Sequence, residues 1–234
     1  GPLFIVSLGP GNPDFLAPKA RAVLTSAQVI VGYSTYITFL DQELVQGKEI
    51  VSTGMTQEVQ RCRAAIAKAR EGLCTAVVCS GDCGIYAMAG LILEMLDEEG
   101  LLETLNVEIV PGIPALAAGS ALLGAPLMHD FACVSLSDLL TPWEVIEKRI
   151  AAASRADFVL VLYNPRSKKR DWQLDSALEI IKNGRPAHTP VGVVRNAARE
   201  DEQAWVATLE TFSTSEVDML CTVFVGNSQT RLAS

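Results

Sequence analysis

The sequence has few metal-binding side chains and lacks a paired cysteine motif. It contains two histidines, His129 and His188, and six cysteines. Cys79 and Cys83 are separated by three residues, whereas zinc sites and thiol redox centres usually use C-x-x-C, and no second pair stands elsewhere in the chain. We therefore expect no protein-bound metal, and we expect the cysteines to be buried packing residues.

The sequence also lacks long hydrophobic runs. Its uninterrupted apolar stretches fall well short of the ~20 residues that span a bilayer, and no charged segment followed by an apolar core opens it. We therefore expect a cytoplasmic protein with no membrane partner. The net charge of −8 argues against a nucleic-acid partner, although a local basic pocket can still bind a small acidic substrate.

Runs rich in valine, isoleucine and leucine alternate with helix-like segments along the chain. This alternation predicts the α/β fold class, with a mostly parallel sheet covered on both faces and antiparallel pairs among the last three strands. Because residues 124–131 interrupt the pattern, we expect two α/β domains, 1–126 and 127–234. Strands are predicted at 3–8, 28–32, 74–79, 107–110, 132–136, 157–163, 191–194, 204–209 and 220–225, and helices at 16–26, 56–72, 86–99, 113–123, 142–154 and 172–183.

A glycine turn follows the first predicted strand, at Gly9-Pro-Gly11-Asn-Pro-Asp14. A dinucleotide site would have a third glycine where Asp14 stands, and this acid would repel phosphate. The second strand is followed by no acid for a ribose, and no Walker motif is present. The turn is therefore either a simple strand-to-helix connection or part of a site for a ligand without polyphosphate.

Two further glycine turns follow later strands, at Ser80–Gly84 and Pro111–Ala115. Asp82 can cap the next helix, or it can accept hydrogen bonds from a ligand at the carboxyl end of the sheet. The small residues after Ala115 allow either tight helix–sheet packing or close approach of a flat ligand. Backbone groups, a carboxylate and apolar walls suit S-adenosylmethionine, but the ribose acid of the usual Rossmann methyltransferase is absent, so that cofactor would require another fold.

Several long motifs resemble one family. LGPGNPDFLAPKA, SGDCGIYAMAG and VEIVPGIPALAAGSALLGAPL are similar to the opening loop, the Gly-Asp-Pro loop and the third loop with domain junction of the tetrapyrrole methylases; Cys83 stands where proline or alanine is more usual. GYSTYI, STGMTQEVQRCRAAIAKAREG, SLSDLLTPWEVIEKRI, LYNPRSKKR, VVRNAARED and VGNSQT resemble the precorrin-3B C17-methyltransferase group, whose anaerobic counterpart methylates cobalt-factor III.

This resemblance implies transfer of a methyl group from S-adenosylmethionine to C17 of a tetrapyrrole, with ring contraction, in vitamin B12 synthesis. It implies two α/β domains with the cofactor cleft between them, S-adenosylhomocysteine as a product, and a homodimer. Whether the tetrapyrrole carries cobalt stays open. The implied cofactor contacts are Pro10, Gly81, Asp82, Cys83, Tyr86, Pro114, Ala115, Asn164 and Ala197. The expected substrate contacts are Gly9, Gly11, Ser135, Thr141, Arg166 and Arg195.

Ring contraction needs proton transfer, so it needs general acid–base groups. The candidates are Ser137 and Asp138, followed by His129, whose ring titrates in a useful range. Each has a structural alternative: the serine and the aspartate, like Thr141, can cap the helix from Pro142, and His129 can be a hydrogen-bonded structural residue. The arginines can equally lie on a solvated surface.

Three other functions compete with this interpretation. A related methyltransferase could act at another corrin ring position, while the acidic charge argues against the RNA-methylating branch of the superfamily. A tetrapyrrole or cofactor carrier without turnover would not need three cofactor loops, and binding of S-adenosylhomocysteine would separate it from an enzyme. A nicotinamide oxidoreductase conflicts with Asp14 and with the missing ribose acid.

Overall fold

The computed structural model describes residues 1–233 and divides the chain into two compact units, Gly1–Ala115 and Leu116–Ser234. Each unit contains one five-stranded sheet covered by helices. The expected α/β fold class, with two sheets, is confirmed.

The sheet of the first unit is entirely parallel, with the strand order β3-β2-β4-β1-β5. Since all five strands run the same way, the turns that follow them lie at one edge of the sheet. The strands are β1 (Leu3–Ser7), β2 (Val29–Tyr33), β3 (Glu49–Thr53), β4 (Thr75–Cys79) and β5 (Val107–Val110). The helices are α1 (Pro18–Ser26), α2 (Ser34–Ile37), α3 (Gln42–Val45), α4 (Glu58–Arg70) and α5 (Met88–Glu98), with a 3-10 turn at Pro13–Phe15.

The two faces of this sheet pack into separate apolar clusters. Ile5 and Val77 point to the cluster that contains α4 and α5, whereas their neighbours Val6 and Val78 point to the cluster that contains α1. Alternate residues of a strand face opposite sides, so continuous Val/Ile runs predict a strand buried on both faces. The predicted parallel sheet, covered on both sides, is confirmed here.

The sheet of the second unit is mixed, with the strand order β6-β7-β10-β8-β9. β6 and β7 are parallel, and the remaining neighbours are antiparallel, as the short gaps between the last strands predicted. The strands are β6 (Phe131–Ser135), β7 (Val159–Tyr163), β8 (Pro190–Arg195), β9 (Gln203–Thr208) and β10 (Cys221–Val225). The helices are α6 (Ala115–Leu122), α7 (Trp143–Arg155) and α8 (Gln173–Lys182).

The small residues of α6 pack against the second sheet. A Cβ on Gly119 would lie 3.0 Å from the ring of Phe224. Leu116 and Leu123, at the ends of the helix, join the cluster of Phe224 and Val194. The units divide after Ala115, the first residue of α6, whereas the predicted boundary between residues 126 and 127 lies after the whole helix.

The sequence interpretation missed β3 and the short helices α2 and α3. β3 is an edge strand in which Ile50 is still 37% exposed, and its only apolar residues are Ile50 and Val51, so it lacks the continuous apolar run of the central strands. Val59 of α4 is apolar but 46% exposed. The buried face instead contains Arg61, Cys62, Ala65, Ile66 and Ala69.

All six predicted helices begin one or two residues later than expected, and the backbone explains two of these starts. Tyr86 has a positive φ of 52°, which no helical residue adopts, so α5 begins at Met88. Pro142 is extended (φ −55°, ψ 141°) and takes the N-cap position of α7, and no side chain among residues 1–233 caps this helix. The alternative role of Thr141, capping this helix, is therefore not what the structure shows.

None of the six cysteines forms a disulfide, and four of them are buried: Cys62, Cys79, Cys83 and Cys221. Cys74 and Cys133 are half-buried, so the expectation of buried packing is met fully by four of the six. Burial raises the pKa of Cys62 to about 11 and that of Cys79 to about 12. Because these thiols stay neutral at physiological pH, they are poor nucleophiles in the folded protein.

We expect a thiol reagent at pH 8 to modify at most two cysteines of the native protein, Cys74 and Cys133, and all six in denaturant. The free energy of unfolding should also fall as the pH rises from 9 towards about 11, because the unfolded thiols ionise there before Cys62 and Cys79 do. Ellman titration and urea melts at several pH values measure both effects. Rapid modification of a third native thiol would contradict the burial.

Candidate functional site

The first two glycine turns are hydrogen-bonded to each other at the carboxyl edge of the first sheet. The Gly9 N–H donates to the Gly81 carbonyl (N···O 3.1 Å), and the Gly81 N–H donates to the Gly9 carbonyl (N···O 2.7 Å). Both residues have positive φ, +70° and +68°, which glycine adopts without strain. This reciprocal pair fixes the turns after β1 and β4 side by side.

The carboxylate of Asp82 joins the second turn to the third. Its Oδ1 accepts the Gly84 N–H (2.8 Å), and its Oδ2 accepts the Gly112 N–H (3.0 Å). No side chain of the described range 1–233 caps α5, so the capping alternative for Asp82 is not what the structure shows. Both oxygens instead hold backbone groups of two turns.

Cys83 lies beneath the same turns. Its N–H donates to the hydroxyl of the buried Ser7 (2.9 Å), and its thiol lies 3.6 Å from the Ile5 carbonyl oxygen and 3.7 Å from that of Val110. Burial raises the pKa of this thiol. The Cys83 side chain therefore packs against β1 and β5. Ser7 was missed by sequence reasoning; its only signal is a polar residue near the end of an apolar strand.

Gly112 is enclosed by the other two turns. A Cβ there would lie 2.5 Å from the Ser7 Cβ, 2.9 Å from the Gly81 carbonyl oxygen and 3.3 Å from the Gly9 nitrogen. No other residue fits such a position without displacing backbone. We call residues 9–11, 80–86 and 111–115 together the glycine platform.

The predicted first-unit residues all belong to this platform. Pro10 is buried, Pro114 and Ala115 are half-buried with backbone atoms 3.8 Å from the position of a Gly81 Cβ, and Tyr86 is 52% exposed. Gly11 lines a small, shallow and mainly apolar hollow beside the first turn. The other lining residues of the hollow are Leu8, Asn12, Pro13, Leu16, Phe39, Leu40, Asp41 and Leu44.

The side chains of the platform fit a sulfonium cofactor. The platform contains one carboxylate, Asp82, and no lysine or arginine. A polyphosphate would require cationic groups, whereas a sulfonium cation is better placed beside neutral and acidic groups. Because the turns are already hydrogen-bonded to one another, their exposed backbone is held in place before a ligand binds.

The carboxyl ends of β6, β7 and β8 share one edge of the second sheet with the amino end of β10, because Ser135 pairs with Tyr163 and Arg195 with Cys221. The Ser135 hydroxyl accepts hydrogen bonds from the Asn164 side chain (3.0 Å) and from the Ser137 N–H (3.3 Å). Most predicted second-unit residues are the last residue of one of these strands or follow it, namely Ser135, Ser137, Asp138, Thr141, Asn164, Arg166, Arg195 and Ala197.

Asp138 is oriented by a residue that sequence reasoning missed. The Gln173 side-chain nitrogen donates to Asp138 Oδ2 (2.9 Å). Gln173 is 3% exposed, and its own Oε1 has no hydrogen-bond partner among residues 1–233. The bond fixes the loop after β6 to the first turn of α8. Nothing in the sequence around Gln173, a polar residue at the start of a helix, indicated its hydrogen bond to Asp138.

The predicted arginines already have partners within the second unit. Arg166 donates to the Thr214 carbonyl (3.1 Å) and hydroxyl (3.3 Å), and Arg195 pairs with Asp218 (2.9 Å). Ala197 is half-buried against the cluster that contains Val194.

His129 lies apart from Ser137 and Asp138. It precedes β6, so it stands at the opposite edge of the second sheet. Asp157 lies at that edge, and hydrogen bonds from Ser228 are the main cause of the lowered pKa of its carboxyl. The charges of Arg185 and His129 lower this pKa by a smaller amount. The three predicted acid–base candidates therefore do not form one cluster.

Two negative findings apply to residues 1–233. No group of three or more histidine, cysteine, aspartate or glutamate side chains is placed to hold a metal ion. In the same range, no helix is both long enough and apolar enough to cross a membrane.

Comparison with known proteins identifies the family. The sequence profile described as Tetrapyrrole (Corrin/Porphyrin) Methylases matches residues 2–213. The chain therefore belongs to the tetrapyrrole methylase family.

Several relatives are similar over nearly the whole chain. A protein named "Probable cobalt-factor III C(17)-methyltransferase" from Salmonella typhimurium is 46% identical over 97% of this chain and 93% of its own length. A "Precorrin-3B C(17)-methyltransferase" from Sinorhizobium sp. is 38% identical over 99% of this chain and 91% of its own length. Longer relatives also occur, since the chain spans 43% of the "Cobalt-factor III methyltransferase" of Priestia megaterium, at 44% identity over 98% of this chain.

The crystal structure of the methyltransferase CobJ is similar to this one, with a TM-score of 0.95 and 35% sequence identity over 100% of this chain and 97% of that one. The protein is a methyltransferase of the same type as these relatives.

Proposed function

We propose that this protein methylates C17 of a tetrapyrrole of the precorrin-3B or cobalt-factor III type, with ring contraction, in cobalamin biosynthesis. The observation that carries the proposal is the similarity to proteins named for this reaction. It extends over 97% of the chain at 46% identity and over 99% at 38% identity. Cobalt, where present, belongs to the substrate.

The proposed methyl donor is S-adenosylmethionine, which carries an electrophilic methyl group on its sulfonium. In this proposal the glycine platform holds the methionine and ribose parts, through the backbone of Gly81 and Cys83 and through contacts of Pro10, Tyr86, Pro114 and Ala115. Asp82 keeps the turns in place. Asn164 and Ala197 of the second unit are proposed to contact the adenine. The absence of cationic side chains from the platform supports a sulfonium ligand.

The protein's main contribution to methyl transfer is alignment. Holding the reacting atoms in line can supply about 7–11 kcal/mol of the barrier. Ring contraction in addition needs proton transfer at an oxygen, and the proposed acid–base group is Asp138, with Ser137 beside it. Gln173 holds one oxygen of this carboxylate at 2.9 Å and has no bond to the other, Oδ1. Ser135, Thr141, Arg166 and Arg195 remain proposed substrate contacts, with Gly9 and Gly11 in the first unit.

A single-turnover assay tests the proposal. The protein is mixed with S-adenosylmethionine labelled in its methyl group and with precorrin-3B or cobalt-factor III in parallel, and products are followed by absorbance, mass and NMR. We expect label at C17 and a contracted ring. Transfer to one compound alone would identify the metal state of the substrate. Label at another ring position, or tight binding of S-adenosylhomocysteine without transfer to either compound, would contradict the C17 assignment.

Asp138→Asn provides an internal control. We expect this variant to bind S-adenosylhomocysteine with unchanged affinity and to convert the tetrapyrrole at least about 100-fold more slowly, as general acid–base catalysis contributes 10²–10⁴-fold. An unchanged conversion rate would remove Asp138 from the mechanism and leave the reaction assignment intact.

We also propose a homodimer that works in the cytoplasm. The resemblance supports the dimer, and the six cysteines, none of which forms a disulfide, support a reducing compartment. Light scattering on a sizing column measures the assembly state, and a mass equal to one chain would contradict the dimer.

A further inference from the structure

One arginine at the carboxyl edge of the second sheet, Arg170, forms no ion pair with a carboxylate of residues 1–233. Arg170 donates from Nη1 to the Leu136 carbonyl (3.3 Å) and to the Asn164 carbonyl, and from Nη2 to the Met219 sulfur (3.3 Å). No carboxylate lies within 4.0 Å of its guanidinium among residues 1–233, and its Nε has no hydrogen bond there. Burial lowers the pKa of Arg170 and the charge of Asp138 raises it to a lesser extent. Arginine stays protonated, so this is a half-buried cation whose counter-charge, Asp138, lies beyond ion-pair distance.

Arg166 and Arg195, the two arginines predicted from the sequence as substrate contacts, have closer links to carboxylates than Arg170 does. Arg195 is neutralised by Asp218 at 2.9 Å. Arg166 donates to Thr214, whose hydroxyl donates to Asp175 (2.7 Å). Burying a cation costs free energy unless an anion compensates its charge. Of the three arginines, Arg170 therefore gains the most stabilisation from an anionic ligand.

Two exposed lysines extend this positive charge. The Ser167 N–H donates to the Arg170 carbonyl (2.8 Å), and the Arg170 N–H donates back to the Ser167 carbonyl (3.2 Å), which closes a tight turn with Lys168 and Lys169 at its tip. Neither lysine forms an ion pair within the described residues 1–233. Three consecutive unpaired cations are notable on a chain of net charge −8.

Exposed apolar side chains lie on the same two loops. Leu139 is 82% exposed and Leu140 is 93% exposed, and both follow Asp138, which is bonded to Gln173 of α8. Trp172, next to that glutamine, is 46% exposed. The two loops thus present cations and apolar surface together. This combination suits a ligand with an apolar body and carboxylates at its periphery.

We propose that Arg170, with Lys168 and Lys169, binds a peripheral carboxylate of the tetrapyrrole, while Leu139, Leu140 and Trp172 contact its macrocycle. This inference rests on the proposed function and names the anchor for the substrate. Arg170 Nε and the second Nη2 hydrogen supply the pair of donors that a carboxylate accepts. The bonds from Nη1 to Leu136 and Asn164 hold the guanidinium in position.

Quenching of tryptophan fluorescence by uroporphyrin III, a tetrapyrrole with eight carboxylates, measures this binding without turnover. We expect Arg170→Gln to raise the dissociation constant about 10- to 100-fold, the range for a lost charge-assisted bidentate contact. Lys168→Gln/Lys169→Gln should raise it about 3- to 10-fold, with a shallower dependence on salt between about 0.05 and 0.5 M. S-adenosylhomocysteine affinity should stay within about twofold of wild type in the lysine variant, since neither lysine side chain forms an ion pair with residues 1–233.

Lys148→Gln/Arg149→Gln is the matched control, because these exposed residues of α7 carry the same charge and form no ion pair within residues 1–233. Equal weakening by this control, or weakening by Arg166→Gln in place of Arg170→Gln, would overturn the assignment. If Arg170→Gln lowers stability and the lysine variant binds normally, the role of Arg170 is structural and the inference fails. Wild-type protein that neither binds the porphyrin nor methylates a tetrapyrrole would instead contradict the proposed function itself.

Discussion

Replacing Gly112 by alanine should destabilise the first unit and abolish cofactor binding. The added Cβ would lie 2.5 Å from the Ser7 Cβ and 2.9 Å from the Gly81 carbonyl oxygen. Neither atom belongs to the flexible end of a side chain, so β1 or the glycine platform must shift. Overpacking of this kind typically costs about 1–3 kcal/mol. Here the same displacement separates the turns that are proposed to hold S-adenosylmethionine.

Gly90→Ala is the matched control for this substitution. Gly90 lies in α5, where a Cβ added to it would meet no atom of residues 1–233 within 4 Å outside its own helical turn, and its φ is not positive. An alanine there should stabilise the protein by about 0.5–1 kcal/mol, because glycine is unfavourable within a helix. Urea unfolding and calorimetric titration with S-adenosylhomocysteine measure both variants. Similar results for the two alanines would contradict the close approach at Gly112.

The central strands could be predicted from sequence because their signal is local. β1, β4, β7 and β10 are continuous runs of β-branched and apolar residues, buried on both faces of their sheets. The turns after β1, β4 and β5 were also recognisable, because glycine and proline mark such connections. Parallel strands then bring these turns to one edge, so the glycine platform follows from the order of elements.

The contacts inside the sites could not be predicted, because they join residues far apart in sequence. Asp82 bonds Gly112, thirty positions away, and nothing near Asp82 distinguishes this partner from a helix cap or a ligand. Gln173 and Asp138 are likewise separated by 35 positions. Side-chain pairing of this kind depends on the arrangement of strands and not on local pattern.

The packing partner of α6 could not be predicted from the local sequence either, and this affected the predicted domain boundary. Its small residues indicated tight packing but did not indicate the partner, and the predicted boundary assigned the helix to the first domain. The partner is the second sheet, where Gly119 lies against Phe224. Residues 124–131 interrupt the apolar pattern, yet the compact units divide after Ala115, the first residue of α6, and not after the helix.

Asp82→Asn should weaken both the empty protein and its binding of S-adenosylhomocysteine. Asparagine keeps one acceptor oxygen but places an NH₂ group opposite the second backbone N–H, so either Gly84 or Gly112 loses its bond. An unsatisfied, partly buried donor costs about 1–3 kcal/mol. We expect that loss in urea unfolding without ligand, together with a roughly 10- to 100-fold loss of affinity, since each 1.4 kcal/mol is tenfold.

The two measurements together separate a positioning role from direct contact with the cofactor. If Asp82 acts by joining the turns, stability and affinity fall together, because the platform is disordered before the ligand arrives. If its carboxylate acts mainly on the ligand, affinity falls while the empty protein unfolds as the wild type does, and the positioning role is wrong. Asp14→Asn is the control. It makes the same charge change in the neighbouring turn, where the exposed carboxylate accepts no hydrogen bond from residues 1–233, so both quantities should stay near wild type.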